Sequence, residues 1–429
     1  MIFLPFVFLK FTELKKNAMI LTRAYKENWS QFQKLTTRFF CSYFVLYVFS
    51  GLTKFIWSSP VSWIAENIFS ITYDFSSRGY GSGDTTYQYI LILLLFFVAL
   101  SSTIIWTIID FNRKSYNQLN YGFLLFLRIV LISYLLIYGI IKLLHMQMIP
   151  PTYYQLNQPL GDMSPMRLAW VFMGYSKGFS MFAGGMEIVA AIFLIPRRTQ
   201  TFGAILSVAV MTQVLIMNLC FDIPVKIFSF HLLLIALIIL ISDFKRIYQL
   251  LILGKSPNKV IIYPKRNKEG RKLIPIVKIV LLIGFVWLYT SSTLSNKNTY
   301  MNKLNPYMSG VWQVDSFHIA HTTESYHYQY NERWKKLIIS YENSMSVQML
   351  DDSMLHFTTE IDTISKKIVL THKNIDSDFS YQLENEKYLT LKGTIENNQL
   401  TIKLTRKTKK DFLLTSRGFH WINELPLNK

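Results

Sequence analysis

The 429-residue chain is poor in charged residues, in acidic residues above all, and in cysteine. Only 17% of its residues are charged, against about 25% in an average soluble protein, and 51% are hydrophobic. This balance excludes a disordered or fibrous protein and argues against one large soluble domain. The only two cysteines, Cys41 and Cys220, exclude a disulfide scaffold and a cysteine-rich zinc or iron–sulfur centre.

The net charge of +19 belongs almost wholly to the apolar part of the chain. Residues 1–295 hold 28 Lys and Arg against 11 Asp and Glu, whereas residues 296–429 hold 17 against 15. A basic excess that accompanies apolar runs is typical of the loops of a membrane protein. We therefore expect membrane lipid, and no nucleic acid, among the partners of this chain.

Seven apolar stretches are long enough, or nearly so, to cross a bilayer, which takes about 20 mostly apolar residues. They lie at about 38–57, 87–110, 121–143, 178–195, 201–220, 224–243 and 274–291. With the N-terminus inside, the inner segments carry 20 basic residues and the outer ones only 4, or 6 with Lys54 and Lys142 at the span ends. The positive-inside rule thus predicts a cytoplasmic N-terminus and a C-terminal domain on the opposite side of the membrane.

These spans predict how the chain is divided. The predicted parts are a cytoplasmic segment at 1–37, two spans and their outer loop at 38–120, a four-helix core at 121–243, a basic cytoplasmic loop at 244–273, the seventh span at 274–295, and an outer domain at 296–429. The apolar start, MIFLPFVFLKF, is too short to span and lacks a cleavage site. It is either an interfacial segment or lies upstream of a true start at Met19.

Ionisable residues inside the spans mark sites or structural pairs, because a bilayer makes them costly. Arg128 and Glu187 lie on consecutive antiparallel spans at similar depth, so an ion pair between them is feasible. One hypothesis is functional: Glu187 carries a proton or binds a polar headgroup, and Arg128 adjusts the properties of Glu187. The other is structural: the pair only fixes the register of the two helices. Lys142, His145 and His231 are further candidate ligand-binding residues, although His231 can equally be a core histidine that bonds two helices. We expect no metal site.

Residues 121–243 carry a recognisable pattern. The third span reads RIVLISYLLIYGIIKLL and the fourth MFAGGMEIVAAIFL, and two apolar helices follow a short basic turn. The residues that carry the pattern are Arg128, Gly139, Lys142, Gly184, Gly185 and Glu187. This stretch resembles the DoxX-like membrane family, which implies a four-helix bundle.

The resemblance also implies a range of functions. Some DoxX-like proteins are subunits of membrane oxidoreductases that pass electrons to quinone, and others act in redox or thiol homeostasis. Relatives in the wider superfamily include the membrane part of vitamin K-dependent carboxylases. The extra spans and the C-terminal domain resemble the arrangement in uncharacterised proteins of Bacteroidetes-type bacteria, which implies the inner membrane with the C-terminal domain in the periplasm. Quinone is the cofactor that this resemblance suggests.

The C-terminal part, 296–429, is polar and shows the period-two alternation of strands. Strand-like segments lie at 334–340, 346–350, 354–362, 367–372, 388–395 and 400–407, and the turns DDS (351–353) and ENNQ (396–399) suit hairpins. About eight strands in a domain of this size predict a small antiparallel barrel. Such a barrel either holds one small apolar ligand or is filled by side chains.

The start of this domain, SGVWQVDSF, resembles the Gly-x-Trp opening of lipocalin-like barrels, here Gly310 and Trp312. In that fold the Trp closes one end of the barrel, often under a basic residue of the last strand. Arg417 is the candidate for that residue. The fold class predicted overall is an α-helical polytopic membrane bundle followed by an all-β, lipocalin-like barrel.

Three functions agree with these patterns. The first is an inner-membrane subunit in envelope redox or quinone- and lipid-related chemistry. The second is a non-enzymatic protein that handles a lipid or another small apolar ligand, held in the barrel. The third is a scaffold whose barrel docks membrane or envelope protein partners. No phosphate-binding loop, nucleophile elbow or HExxH motif is present, so nothing favours hydrolase or nucleotide chemistry.

Overall fold

A computed structural model describes residues 27–71, 82–256, 268–303, 307–320, 333–373, 375–395 and 398–428, without the side chains of 268–282, 300–302, 320, 395 and 398. The start of the predicted N-terminal segment and part of the first outer loop lie outside these residues. The chain forms two compact units. We call residues 1–143 and 181–287 the helical unit, and residues 144–180 and 288–429 the barrel unit.

Helices make up most of the described chain before residue 304. They are α1 (Gln31–Ser50), α2 (Lys54–Asn67), α3 (Thr86–Ile109), α4 (Asn117–Leu143), α5 (Tyr153–Asn157), α6 (Pro165–Tyr175), α7 (Lys177–Leu194), α8 (Gln200–Cys220), α9 (Lys226–Ile241), α10 (Phe244–Leu251) and α11 (Lys268–Lys303), with a short α12 (Leu413–Ser416) near the C-terminus.

Among the described residues, α3, α4, α7 and α8 are long and apolar enough to cross a membrane. The number rises to six if α1–α2, bent by 102°, and α9–α10, bent by 67°, each count as one span. The apolar helices indicate a membrane protein, as the sequence predicts. The seventh predicted span, 274–291, lies within α11, where side chains up to residue 282 are not described.

The first predicted span, 38–57, is wrong as a single helix. Helix α1 begins at Gln31, where the Ser30 side chain and Gln33 form a capping box, and it ends at Ser50 with Gly51 as its C-cap. A turn at 51–53 then leads into α2 in another direction. Glycine and threonine form helices poorly, and here they interrupt an apolar run that hydropathy alone would continue.

Arg38 holds the start of α1 against the α3–α4 turn. Its side chain is 1% exposed, and its Nε and Nη2 donate to the Tyr116 hydroxyl at 3.0 and 2.7 Å. Nη1 donates to Thr107 Oγ1 at 2.8 Å, and Tyr116 itself donates to Asp110 Oδ2 at 2.7 Å. A buried guanidinium is tolerated here because its donors find acceptors.

The core of the helical unit is aliphatic and lies chiefly along α3, α4 and α9. Its fully buried members include Leu95, Leu127, Leu131, Leu135, Leu194, Ile235 and Ile239. On α4 the buried apolar residues recur every three or four positions, which places one face of that helix in the core. The functional groups on α4 are therefore held by a helix that is packed over most of its length.

The barrel unit contains eight antiparallel strands in a closed barrel, ordered β1 to β8. They are β1 (Gly310–Ala320), β2 (Trp334–Tyr341), β3 (Ser344–Met349), β4 (Met354–Asp362), β5 (Lys367–His372), β6 (Ile375–Glu384), β7 (Tyr388–Ile395) and β8 (Asn398–Lys407). The last strand pairs with the first, so no edge stays open. The predicted small antiparallel barrel is confirmed.

The barrel is filled by its own side chains. Large apolar residues at alternate positions face inward and are almost wholly buried, among them Trp312, Leu337, Ile339, Met345, Val347, Ile368, Leu370, Phe379, Leu389, Leu391, Leu400, Ile402 and Leu404. An eight-stranded barrel has an interior that such side chains can fill. The described residues therefore favour the filled barrel over one that encloses a large apolar ligand.

Candidate functional site

Lys142 and Glu187 form a buried ion pair in the helical unit. The Lys142 Nζ donates to Glu187 Oε1, and the two side chains are 8% and 4% exposed. Lys142 lies in the last turn of α4 and Glu187 in the middle of α7. A buried pair of this kind compensates two charges that would each be costly alone.

Two glycines bring α4 and α7 together beside this pair. A Cβ atom built on Gly184 would lie 2.5 Å from the Gly139 carbonyl oxygen and 2.8 Å from the Leu143 nitrogen. Small residues let membrane helices approach at backbone distance. This contact sets α7 against the last turns of α4, because a Cβ on Gly184 would lie 2.8 Å from Lys142 Cβ and a Cβ on Gly139 would lie 3.3 Å from the nitrogen of Ile188, the residue after Glu187.

Replacing Gly184 by Ala is expected to lower the free energy of unfolding by about 1–3 kcal/mol, since the new methyl group overlaps backbone atoms of α4. Gly185→Ala is the matched control. Nothing lies within 4 Å of the Cβ position of Gly185, so the helix-favouring change should be neutral or stabilise by up to about 1 kcal/mol. Thermal unfolding of the two variants in detergent measures the difference. Equal losses would contradict the close approach at Gly184.

Arg128 does not pair with Glu187 as the sequence suggested, but bonds to Gln200. Arg128 Nη1 donates to Gln200 Oε1 at 2.6 Å, at the start of α8. At a rise of 1.5 Å per residue, Arg128 lies about 21 Å along α4 from Lys142. The prediction was wrong because it placed Arg128 and Glu187 at similar depth by counting from the inner ends of the two spans, whereas the contact at Gly139 and Gly184 sets α7 against the last turns of α4.

One oxygen of the Glu187 carboxylate remains unsatisfied. Oε2 is buried and has no hydrogen-bond partner among the described residues, whereas Oε1 is bonded to Lys142. Leaving a buried acceptor unpaired costs free energy, and more for a charged group. A proton on Glu187, or a hydroxyl or amine donor of a ligand, would satisfy it.

His231 takes part in a closed hydrogen-bond arrangement. Its Nδ1 lies 2.7 Å from the Ile227 carbonyl oxygen, which can only accept, so Nδ1 donates and Nε2 accepts from the Tyr43 hydroxyl at 2.7 Å. The imidazole also stacks on Tyr47 with ring centroids 3.9 Å apart. Both ring nitrogens of His231 are bonded within the protein. This favours a structural role, in which His231 links helices, over a role in ligand binding.

Asp84 caps the helix that carries His231, and sequence reasoning missed it. Its carboxylate accepts from the backbone nitrogens of Lys226 and Ile227 at 2.8 and 3.0 Å. Anions at a helix N-terminus are stabilising because the first N–H groups have no partner in the helix. The signal was present as the acidic end of RGYGSGD, but sequence alone did not say which helix it caps.

His145 belongs to the barrel unit, where it fastens the segment between α4 and α7. Its Nε2 donates to the Gly174 carbonyl oxygen at 3.1 Å. Burial lowers the pKa of this imidazole below its usual value, so it is neutral near pH 7. Lys297 on α11 donates to the Leu144 carbonyl oxygen at 3.2 Å and holds the same segment. The structure thus gives His145 a structural contact.

Helix α5, in the segment between α4 and α7, packs on the outside of the barrel. Tyr153 is buried against Val311 and Ile338, and the Lys409 ammonium lies 5.8 Å from the centre of its ring. Burial lowers the pKa of Lys409. Helix α5 therefore covers an apolar patch on β1 and β2.

Polar contacts extend the same interface to β3. The Tyr154 nitrogen donates to Ser340 Oγ at 3.1 Å, Asn157 Nδ2 donates to Gln348 Oε1 at 3.1 Å, and Lys336 Nζ donates to Asn157 Oδ1 at 2.8 Å. Burial is also the first cause that lowers the pKa of Lys336. This covering explains why β2 and β3 are buried on both faces.

Trp312 is buried in the barrel, but the basic residue above its ring is Arg406 and not Arg417. The Trp312 side chain is wholly buried, its Nε1 donates to the Met308 carbonyl oxygen at 2.8 Å, and the Arg406 guanidinium lies 5.4 Å from its ring centre. Gly310 permits this, because a Cβ there would lie 3.1 Å from Arg406 Cγ and Nε.

The expectation for Arg417 was wrong because the last strand ends earlier than it assumed. Strand β8 ends at Lys407, and Arg417 follows α12, where it donates to Asn423. The pairing of Trp312 with Arg406 across β1 and β8 continues the alternation of LTIKLTRK, which is the signal that could have identified Arg406.

In the described part of the chain, no group of three or more His, Cys, Asp or Glu side chains could hold a metal ion. Of the histidines near the start of the barrel, His321 and His327 lie outside the described residues.

Comparison with known proteins leaves the family open. No family model matches the chain, and no solved structure matches it. The chain is similar to the "Uncharacterized protein YwoB" of Bacillus subtilis (strain 168), with 38% identity over 76 residues. These residues make up 18% of this chain and 49% of the relative, so the chain spans about half the length of the curated relative that it matches.

Proposed function

We propose that this protein is a DoxX-like subunit of the bacterial inner membrane that binds a quinone-type ligand at Lys142 and Glu187 and serves envelope redox chemistry. The observation that carries the proposal is the buried Glu187 carboxylate, with one oxygen paired to Lys142 and the other without a partner. Buried ionisable groups in a membrane helix are functional-site candidates by default.

The two side chains suit the two forms of such a ligand. The Lys142 ammonium can donate to a quinone carbonyl oxygen, and the free Glu187 Oε2 can accept from a quinol hydroxyl. Hydrogen bonds to charged groups are stronger than those between neutral groups. The site therefore distinguishes ligands that carry oxygen at the polar end from plain hydrocarbons.

The residue pattern supports the family part of the proposal. Of the residues that carry the DoxX-like resemblance, Gly139, Lys142, Gly184 and Glu187 meet at one crossing of α4 and α7. If these residues form a functional motif, they should lie close together in the fold. These four residues do lie close together. Arg128 and Gly185 lie outside the crossing.

The filled barrel favours a ligand site in the helical unit over one in the barrel. A protein that handled lipid in a lipocalin-like cavity would need interior volume, and the described inward positions are occupied by large buried side chains. The lipid-handling alternative then depends on the same Glu187 site with a lipid headgroup as the ligand. No observation on the described residues favours the scaffold.

Contacts within the barrel unit support the proposed topology. Helix α5 packs on the barrel, so the segment between α4 and α7 and the barrel occupy the same side of the membrane. The chain must then cross an even number of times between Leu143 and Gly310. Crossings by α7, α8, α9–α10 and α11 would make four, and the basic inner loops support a barrel in the periplasm.

The test is mass spectrometry of small molecules extracted from the full-length protein purified in mild detergent. We expect about one quinone per protein for the wild type, and about a tenfold lower content for Glu187→Gln, because a hydrogen bond to a charged group contributes about 1.5 kcal/mol or more. Glu66→Gln, the same change at an exposed position of α2, should keep the quinone.

Three outcomes would contradict the redox proposal. An empty wild-type protein would remove its basis. A bound quinone that survives Glu187→Gln would place the ligand elsewhere. A stoichiometric lipid lost on the same substitution would establish the lipid-handling alternative in its place.

A further inference from the structure

A second site is suggested by basic residues at the starts of α8 and α10. Thr201 Oγ1 donates to Asp243 Oδ2 at 2.6 Å, and Asp243 is 2% exposed. This bond holds the start of α8 beside the bend between α9 and α10. Arg198 lies just before the start of α8, and Lys245 and Arg246 follow Asp243, so the bond gathers three cations at one end of the helical unit.

One of these cations is incompletely satisfied. The Nε of Arg246 is buried and has no hydrogen-bond partner among the described residues. A guanidinium presents its donors in a fixed planar fork that fits phosphate and carboxylate oxygens. A buried N–H of this group without an acceptor is the position at which an oxyanion would be stabilised.

Helix α10 is amphipathic and lies at 67° to α9. One face carries Phe244, Ile247, Tyr248 and Leu251, and the other Lys245, Arg246 and Gln249. Several apolar residues at its end are open to the surroundings, with Leu250, Leu251 and Ile252 exposed by 56%, 66% and 68%. A basic amphipathic helix of this kind lies in the plane of a membrane interface.

The sequence that begins with this helix is strongly basic. Residues 244–273 carry nine Lys and Arg and one Glu. An anionic leaflet attracts such segments by about 1 kcal/mol for each basic residue near the surface.

We propose that Arg198, Lys245 and Arg246 bind the phosphate of an anionic phospholipid, whose acyl chains lie against the apolar face of α10. The bond between Thr201 and Asp243 orders the cations, and the exposed leucines supply the apolar part. This inference uses no residue of the Lys142–Glu187 pair and does not depend on the quinone proposal.

The test uses the full-length protein in nanodiscs of phosphatidylcholine, with or without phosphatidylglycerol, and native mass spectrometry of the lipids that stay bound. We expect the wild type to retain phosphatidylglycerol in preference to phosphatidylcholine. The Lys245→Gln/Arg246→Gln variant should lose about fivefold of that preference per residue, and thus about 25-fold in total.

Arg113→Gln/Lys114→Gln is the matched control, because both residues are exposed in the α3–α4 turn and the net charge changes equally. It should retain the phosphatidylglycerol preference. An equal loss in both double variants would show only a general attraction of charge, and an unchanged preference in the first would remove the site. Displacement of the lipid by sodium phosphate alone would identify a free-phosphate site and overturn the lipid assignment.

Discussion

Replacing Lys142 by Met is expected to lower the free energy of unfolding of the protein by about 3–5 kcal/mol. The change leaves the Glu187 carboxylate buried without its partner, and a buried charge that has lost its counter-ion is strongly destabilising. The measurement is reversible unfolding of the detergent-solubilised protein, with helix content followed as denaturing detergent is added. The double variant Lys142→Met/Glu187→Leu should recover most of the loss, since apolar side chains of similar volume can replace a buried pair.

Lys114→Met controls for the removal of a positive charge. Lys114 is exposed, so its substitution should change the free energy of unfolding by no more than about 0.5 kcal/mol. If Lys142→Met were as harmless as this control, the ion pair would contribute nothing and the buried site would lose its physical basis. If the double variant were the least stable of all, the two side chains would act independently.

Replacing Trp312 by Ala is expected to destabilise the barrel unit by about 3–5 kcal/mol, the range for loss of a fully buried large aromatic side chain. The change removes the indole that lies between Met308 and Arg406 and leaves a cavity in the barrel. Amide hydrogen exchange of β1, β2 and β8 in the full-length protein measures the effect. Protection should fall by at least about a hundredfold.

Trp421→Ala removes the same side chain from a site that is 91% exposed, and its effect should stay within about 0.5 kcal/mol. Helix α7 should keep its protection in both variants, since it lies mainly in the helical unit. A barrel that tolerates Trp312→Ala as well as Trp421→Ala would show that the Gly-x-Trp opening does not close it.

Sequence predicted regular elements well where their pattern is local. The predicted strands 354–362, 367–372 and 388–395 match β4, β5 and β7, and the predicted 201–220 span matches α8 within one residue. Periodicity and hydropathy suffice there because each residue's environment follows from its own neighbours in sequence. The strand β6 was not among the quoted segments, since its polar residues, DSDFSYQ, hide the alternation of Phe379 and Tyr381.

Sequence failed where the answer depends on how two elements are set against each other. Glu187 was recognised as a site residue, yet its partner was predicted to be Arg128 because helix offsets cannot be read from length alone. The offset is set by the backbone contact of Gly139 with Gly184. In the same way, Arg406 replaced Arg417 because the register of β8 against β1, and not the composition of the C-terminus, selects the residue above Trp312.

The docking of α5 on the barrel has a consequence for biosynthesis. The patch on β1 and β2 that covers Tyr153 does not exist until the ribosome has passed residue 341, and the closing strand β8 comes later still. At a synthesis rate of about 5–20 residues per second, roughly 10–40 s pass between the synthesis of Tyr153 and that of the surface on which it packs. During that interval the aromatic segment has no partner surface to cover it, so this segment is where a chaperone would be needed most.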